Sequence, residues 1–168
     1  MTQEIRQTNS LTLAERAQLF EWGVNIFGVQ NEALTWRHKD VHFILSVDGE
    51  DVSHVGVLKH EVSVAGERIP VGGVGGVVTI PTAQRRGYAR ELMSHVAQFF
   101  AGWEVDAGLL FCLQKRVPYY GSQGWELVHD EVVIQQPDGN INSPLEVMVL
   151  PLRRSWPQGT IELNSLPW

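Results

Sequence analysis

The stretch that most constrains the fold is Val71 to Met93, VGGVGGVVTIPTAQRRGYARELM. An apolar, β-branched run from Val74 to Ile80 stops at Pro81, which cannot donate to a strand ladder. Gln84-Arg85-Arg86-Gly87-Tyr88-Ala89 then leads into a segment whose apolar positions, 89, 92, 93, 96 and 100, keep helical spacing. The first amides of a helix have no partner and sit at the positive end of its dipole, so a strand, a turn and a helix start in this order make a seat for a phosphate or pyrophosphate. Gly87 lets a ligand approach the main chain closely, and Arg85, Arg86 and Arg90 add cationic donors for phosphate oxygens. The glycines at 72, 73, 75 and 76 precede or lie inside the strand, which excludes both the Walker loop and the dinucleotide fingerprint.

Such a seat needs a packed scaffold, and 168 residues, 43% apolar and 19% charged, supply one as a single domain spanning 1–168. The net charge of −6 disfavours nucleic acid or an anionic membrane as partner and favours a cationic one. Cys112 is the sole cysteine, in the apolar run GLLFCL, and reads as a buried thiol rather than half of a disulfide or a zinc ligand. No basic-then-apolar leader and no membrane-length apolar run is present, so a soluble cytoplasmic protein is expected. His38 and His42 are four apart, but the second falls in an alternating strand without a third ligand nearby, and no metal site is expected. A homodimer is left open.

Residues 3–8 read as a first strand. Thr12 and Glu15 form a capping-box pattern, and Leu13, Ala17, Phe20, Val24 and Phe27 predict one helix ended by Gly28. Residues 29–39, with Glu32, Trp36 and His38, read as a loop or a short second helix. Strict alternation over 41–47, the Asp48-Gly49 turn and a run over 52–64 predict an antiparallel hairpin, and Ala65 to Arg68 turns into the fourth strand. A meander followed by a strand-loop-helix unit excludes a simple doubly wound sheet. Beyond the helix come a buried strand over 108–113, a helix over 115–123 with Tyr119 and Tyr120, and a strand from Gly124-Trp125 to Gln135. A turn over 137–140 and a last strand over 145–152 follow. The tail, 153–168, carries two prolines and two tryptophans and should pack back on the domain.

Gln84, Gly87 and Ala89, directly after a Val-rich strand, resemble the acetyl-CoA loop of the GNAT superfamily of N-acetyltransferases, Gln/Arg-x-x-Gly-x-Gly/Ala. Tyr120-Gly121-Ser122-Gln123-Gly124-Trp125 resembles that superfamily's Tyr-x-x-x-Gly-Phe/Trp. Within it the chain resembles the aminoglycoside 2'-N-acetyltransferases, through Trp36, the Ala/Gly turn before the fourth strand, Val149-Leu150-Pro151 and Leu166-Pro167-Trp168.

The resemblance implies an α/β (α+β) GNAT fold with a mixed, mostly antiparallel sheet, splayed between strands 4 and 5 and flanked by helices. It implies acetyl-CoA as co-substrate, its pantetheine arm on the main chain of Val77, Val78 and Thr79 and its pyrophosphate on Gln84, Arg85, Arg86, Gly87, Tyr88, Ala89 and Arg90. Tyr120 would be the general acid for the departing thiolate, since a phenol is protonated at pH 7. Consecutive helical residues point about 100° apart, so one of Tyr119 and Tyr120 should face the sulfur, and the pattern selects Tyr120. A small-molecule amine acceptor, best an aminoglycoside, would sit at Glu32, Trp36 and Trp168. An ammonium must lose a proton to react, and the base is one of Glu32, His60, Glu61 or the carboxylate of Trp168, the last favoured by the resemblance. One departure stands out: those enzymes carry an acid inside the fourth strand where this chain has Gly75. Another group must fill that role, or the acceptor differs. A polyamine, an amino acid derivative or a protein amine is the alternative acceptor, and a binding module without turnover is the alternative class.

Overall fold

Two tight turns with left-handed backbone build the longest sheet segment in the computed structural model, which describes residues 1–28 and 34–168. Asp48 (φ 50°) and Gly49 (φ 83°) join β2 (Val41–Val47) to β3 (Glu50–Val64), and Ala65 (φ 49°) and Gly66 (φ 84°) join β3 to β4 (Glu67–Thr79). Positive φ at both central residues gives a turn whose twist matches the strands, which suits Asp-Gly and is unusual for alanine. β1 (Gln3–Thr8) pairs antiparallel with β2 at the sheet margin. β3 is long enough to hold β4 along one edge while its other edge carries β2 over its first half and β10 (Ile161–Glu162) at Ser63 and Val64.

β4 feeds a single 3-10 turn, Pro81–Ala83, and then α2 (Tyr88–Trp103), the helix expected from the sequence; α1 (Leu13–Phe20) lies earlier in the chain. β5 (Ala107–Cys112) returns parallel to β4. α3 (Val117–Gly121) and β6 (Glu126–Leu127) follow, and β9 (Glu146–Pro151) inserts between β5 and β6, antiparallel to both. β7 (Val132–Ile134) pairs with β8 (Ile141–Asn142) and, in parallel, with β10.

The sheet is buried on both faces. Leu110 and Met148 join Phe43, Val55, Val57 and Val74 beneath Leu92, Met93, Val96 and Phe100 of α2. Their neighbours Leu109, Val147 and Val149 join Leu58, Val71, Ile161, Leu163 and Trp168 in a second core. Each such fully buried side chain contributes about 1.5–3 kcal/mol, so the alternation in β5 and β9 fixes the register of the inner strands.

Three expectations need correction. The first helix ends at Phe20, well before Gly28: Leu13 and Val24 are exposed, and the buried residue is Leu19, packed on Ile44 and Val78. The Trp22 indole donates to the Leu19 carbonyl at 2.7 Å and closes the last turn where the periodicity would have continued. The strand expected over 125–135 is two short pieces separated at 128–131, because β6 bonds to β9 whereas β7 leaves for β8 and β10. The tail packs back as expected, but it does so partly as the strand β10, which the sequence pattern did not reveal.

Candidate active site

β4 changes from a paired strand to an open edge at Gly75. Val71 to Val74 pair with Ala107 to Leu110, after which β4 bonds only to β3, and Phe111 and Cys112 bond only to β9. This is the expected splay between strands 4 and 5. On the other side, His54 pairs with Val78 and Gly56 with Gly75, so Gly76 and Val77 both oppose Val55. Gly76 takes φ 60°, a left-handed residue in a β-bulge, which bends the strand where the two strands part. Among the described residues no strand covers the β5-facing edge of Val77, Val78 and Thr79.

A cavity of about 1330 Å³ opens along that edge. It is lined by Val77, Val78, Thr79, Gln84, Arg85, Gly87, Tyr88, Ala89 and Arg90, and also by Trp36, Tyr120 and Trp168, so most of the residues singled out by sequence meet in one place. Arg86 is exposed and is not among the lining residues, unlike its neighbours Arg85 and Gly87. Glu32 lies outside the described residues.

The turn leaves the first amides of α2 without a side-chain cap. Gly87 (φ 82°) is the N-cap of α2 and has no side chain to occupy the first amides, and Arg85 (φ 64°) also adopts a left-handed backbone. Gln84 donates through Nε2 to the Thr79 carbonyl at 3.0 Å, so it shapes the turn from within. The Tyr88 ring is buried in the α2 core and anchors the helix start. Arg90 Nη2 donates to the Ser122 carbonyl at 3.1 Å and ties this turn to the end of α3.

Tyr120 is buried, and its carbonyl accepts from the amides of Gln123 (2.9 Å) and Trp125 (3.2 Å). Gly124 (φ 94°) makes the reversal that lets Trp125 pack under it. Tyr119 also borders the cavity but is partly exposed, so burial and not access distinguishes the two phenols. Burial, with Tyr119 and Cys112 adding to it, holds the Tyr120 phenol well above its ordinary pKa. Burial likewise pushes the Cys112 thiol up to about 11. Both groups are protonated at neutral pH, which suits a proton donor and makes the cysteine a poor nucleophile.

The space beside Gly75 is filled. A Cβ on Gly75 would lie 2.5 Å from Lys39 Cε, 3.1 Å from Lys39 Nζ and 2.9 Å from the main-chain carbonyl carbon of Trp168. A Cβ on Gly56, the register partner of Gly75, would lie 2.7 Å from Lys39 Cγ. The two glycines thus form a groove for the lysine stem, and burial lowers the Lys39 ammonium to about 8. Trp168 is buried, with its indole Nε1 donating to the Leu109 carbonyl at 3.1 Å.

The other base candidates fare differently. His60 accepts from Arg37 at Nδ1 (3.1 Å) and donates from Nε2 to the Leu163 carbonyl (2.7 Å), leaving no free lone pair. Glu61 is exposed opposite Pro70, away from the splay. Neither lines the cavity. Among the lining residues, Lys39 and His54 were not singled out by sequence, and His42 was weighed there only as a metal ligand. His42 Nδ1 lies 2.8 Å from His54 Nε2, and His54 Nδ1 lies 2.6 Å from the carbonyl of Gly76 at the bulge.

A ligand that completes an open strand edge must be extended and rich in amide groups, and one that ends on an uncapped helix start beside arginines must be anionic. A thioester carried on a pantetheine arm with a pyrophosphate is both, and the fold is of the class that handles coenzyme A thioesters. Residues 10–128 match the family described as "Acetyltransferase (GNAT) domain", and the chain belongs to that family. Eis1 from Mycobacterium abscessus is similar in structure, with TM-score 0.58 and 22% identity over 76% of this chain and 31% of its own. A GNAT family acetyltransferase from Brucella melitensis, solved in complex with acetyl-CoA, gives TM-score 0.59 and 16% identity over 95% and 94% of the two chains. N-acetylglutamate synthase from Neisseria gonorrhoeae, complexed with coenzyme A and N-acetyl-glutamate, gives TM-score 0.59 and 16% identity over 92% of this chain and 36% of its own. The chain therefore spans about a third of the length of Eis1 and of the synthase. No curated protein sequence is significantly similar to it. Among the described residues no helix is long and apolar enough to cross a membrane.

Proposed function

We propose that the chain transfers the acetyl group of acetyl-CoA directly to a primary amine of a small molecule, both substrates being bound at once. The observation that carries this reading is the unpaired edge of β4 from Gly75 to Thr79, opening into the same cavity as the α2 turn and Tyr120. The pantetheine arm completes the edge at Val77 to Thr79, and the pyrophosphate rests on the first amides of α2 with Arg85 and Arg90. Main-chain amides at the bulge polarise the thioester carbonyl. Tyr120 gives its proton to the departing thiolate. A covalent relay through Cys112 is disfavoured by its raised pKa.

The acceptor that the sequence resemblance implies is an aminoglycoside, supported by the aromatic rings of Trp36 and Trp168 and by the acidic overall balance. The lining favours a second reading. Arg16, Arg37 and Lys39 border the acceptor half, and no Asp or Glu side chain does so among the described residues. An amine that also carries an anionic group, such as an amino acid derivative, fits this wall better than a polycation. Trp168 takes part in either reading, because its main-chain carbon stands beside Gly75.

Thiol release from acetyl-CoA with kanamycin, spermidine, L-lysine and L-glutamate separates the readings. Turnover of the amino acids over kanamycin supports the second, and the reverse order supports the first. Tyr120→Phe should lower kcat at least 100-fold and leave acetyl-CoA affinity by calorimetry unchanged; equal turnover would remove Tyr120 from the chemistry.

A further inference from the structure

The acceptor reaches the cavity as an ammonium and must lose a proton before it can attack, and the described residues carry no acidic side chain in that wall. They do carry two imidazoles in series. A carbonyl only accepts, so at 2.6 Å from the Gly76 oxygen His54 Nδ1 must bear the hydrogen. Neutral His54 then has a bare Nε2, and at 2.8 Å that nitrogen accepts from His42 Nδ1–H. Both bonds together leave neutral His42 with a lone pair at Nε2 only.

The pair is asymmetric. His54 is 2% exposed, faces the Phe20 ring edge-on with centroids 4.9 Å apart, and cannot charge without reversing its bond to His42, which would take the proton from His42 Nδ1. His42 is half-buried, lines the cavity, and donates from Nδ1 whether neutral or charged. It can therefore take up a proton while the chain to the bulge stays intact.

From this arrangement, and resting on the acetyltransferase reading above, we propose that His42 is the general base that deprotonates the acceptor amine, and that His54 is the positioning residue that holds it in the tautomer with a bare Nε2. The balance is as follows. His42 Nε2 takes one proton from R–NH3+; the freed lone pair attacks the thioester carbon, forming C–N as C–S breaks. The thiolate takes the Tyr120 proton, the phenolate recovers the second proton of the attacking nitrogen, and His42 returns its own to solvent. The charged and titratable groups around His42 are Arg16 and Glu15 from α1, Lys39 and Asp40 from the segment before β2, and His54 from β3. Burial, then Lys39 and Arg16, keep the imidazole below its ordinary pKa, so it is neutral at pH 7 and ready to accept.

Two measurements on the full chain test this. The first needs no acceptor: imidazole 15N spectra with coenzyme A bound at pH 7.5 should show His42 protonated at Nδ1 and bare at Nε2. His54→Asn, which can keep a donor for the Gly76 carbonyl but is too short to place an acceptor where Nε2 stood, should release that tautomer. A His42 that is protonated at Nε2, or that does not respond to His54→Asn, overturns the proposal. The second is the pH dependence of kcat/KM with whichever of kanamycin, spermidine, L-lysine or L-glutamate the wild type acetylates. Wild type should be nearly flat from pH 7 to 9. His42→Gln should lose about 100-fold at pH 7 and recover about tenfold per pH unit as the amine deprotonates in solution, with unchanged coenzyme A affinity. A wild-type profile in His42→Gln overturns the role. Should the wild type acetylate none of the four, the acceptor reading fails while the spectra still decide for or against His42.

Discussion

Gly73 cannot gain a side chain without moving Trp168. It pairs with Leu58 on one side and Leu109 on the other, and the indole lies across it. An added Cβ would stand 2.5 Å from Trp168 Cε2 and Nε1 and 2.8 Å from Leu58 Cδ1. The leucine tip can rotate away. The indole cannot, because it is 2% exposed and sits edge-on to His60 and Phe111, both at 5.7 Å between centroids. Gly73→Ala should therefore cost about 1–3 kcal/mol through overpacking. About 1 kcal/mol more is lost if the Leu109 carbonyl loses its donor. Trp168→Ala should cost about 3–5 kcal/mol as a large-to-small core change. In the Trp168→Ala background the new methyl enters space the indole has left, so the cost of Gly73→Ala should fall near zero and the double mutant should show about 1–3 kcal/mol of coupling. Urea denaturation of the four proteins measures this directly. If Gly73→Ala costs the same with and without the indole, within the roughly 0.5 kcal/mol expected of independent sites, the glycine is not there to admit Trp168.

Arg85→Gln and Arg90→Gln should each weaken coenzyme A binding about tenfold by calorimetry, more at low salt, while Arg86→Gln has a smaller effect; equal losses at all three would mean that the field of the turn matters and not the lining. Arg6 bonds Asp51 at 2.6 and 2.8 Å and Glu15 at 2.6 Å, and it holds both carboxyls below their usual range. Depressed carboxyls give stability that is present above their unfolded pKa of about 4 and lost as pH falls through the lower folded values, so Arg6→Met should cost about 1–2 kcal/mol at pH 7, discounted for the 37% exposure of Arg6, and progressively less as the pH falls through those folded values. A cost that does not depend on pH would assign the loss to packing of the arginine stem.

What the sequence made legible and what it hid divide along register. The strand-turn-helix at 71–93 was readable because its signals are local: β-branched residues, a proline stop, a glycine at the helix start. The two turns Asp48-Gly49 and Ala65-Gly66 likewise announce the hairpins. The helix over 13–27 was misread because a periodicity in apolar residues does not say which of them the sheet will cover; Ile44 and Val78 chose Leu19. The imidazole pair was hidden for a sharper reason. A two-residue turn at 48–49 sets Val47 opposite Glu50 and Ser46 opposite Asp51; continued without interruption, that register would place His54 opposite Phe43, on the face away from His42. The ladder instead shifts between Leu45 and Ser46, with Val52 as the extra residue of β3, so that His54 comes opposite Ile44 and shares a face with His42, a diagonal neighbour. The second bulge, at Gly76 and Val77, then turns a carbonyl toward the ring that the first has delivered. Each bulge alone is a local irregularity, and neither is written in a propensity. Together they bring a pair of histidines, a lysine seated in a glycine groove and the open edge of β4 around one cavity, and because each bulge is a shift in pairing and not a residue pattern, no spacing along the chain announces that grouping.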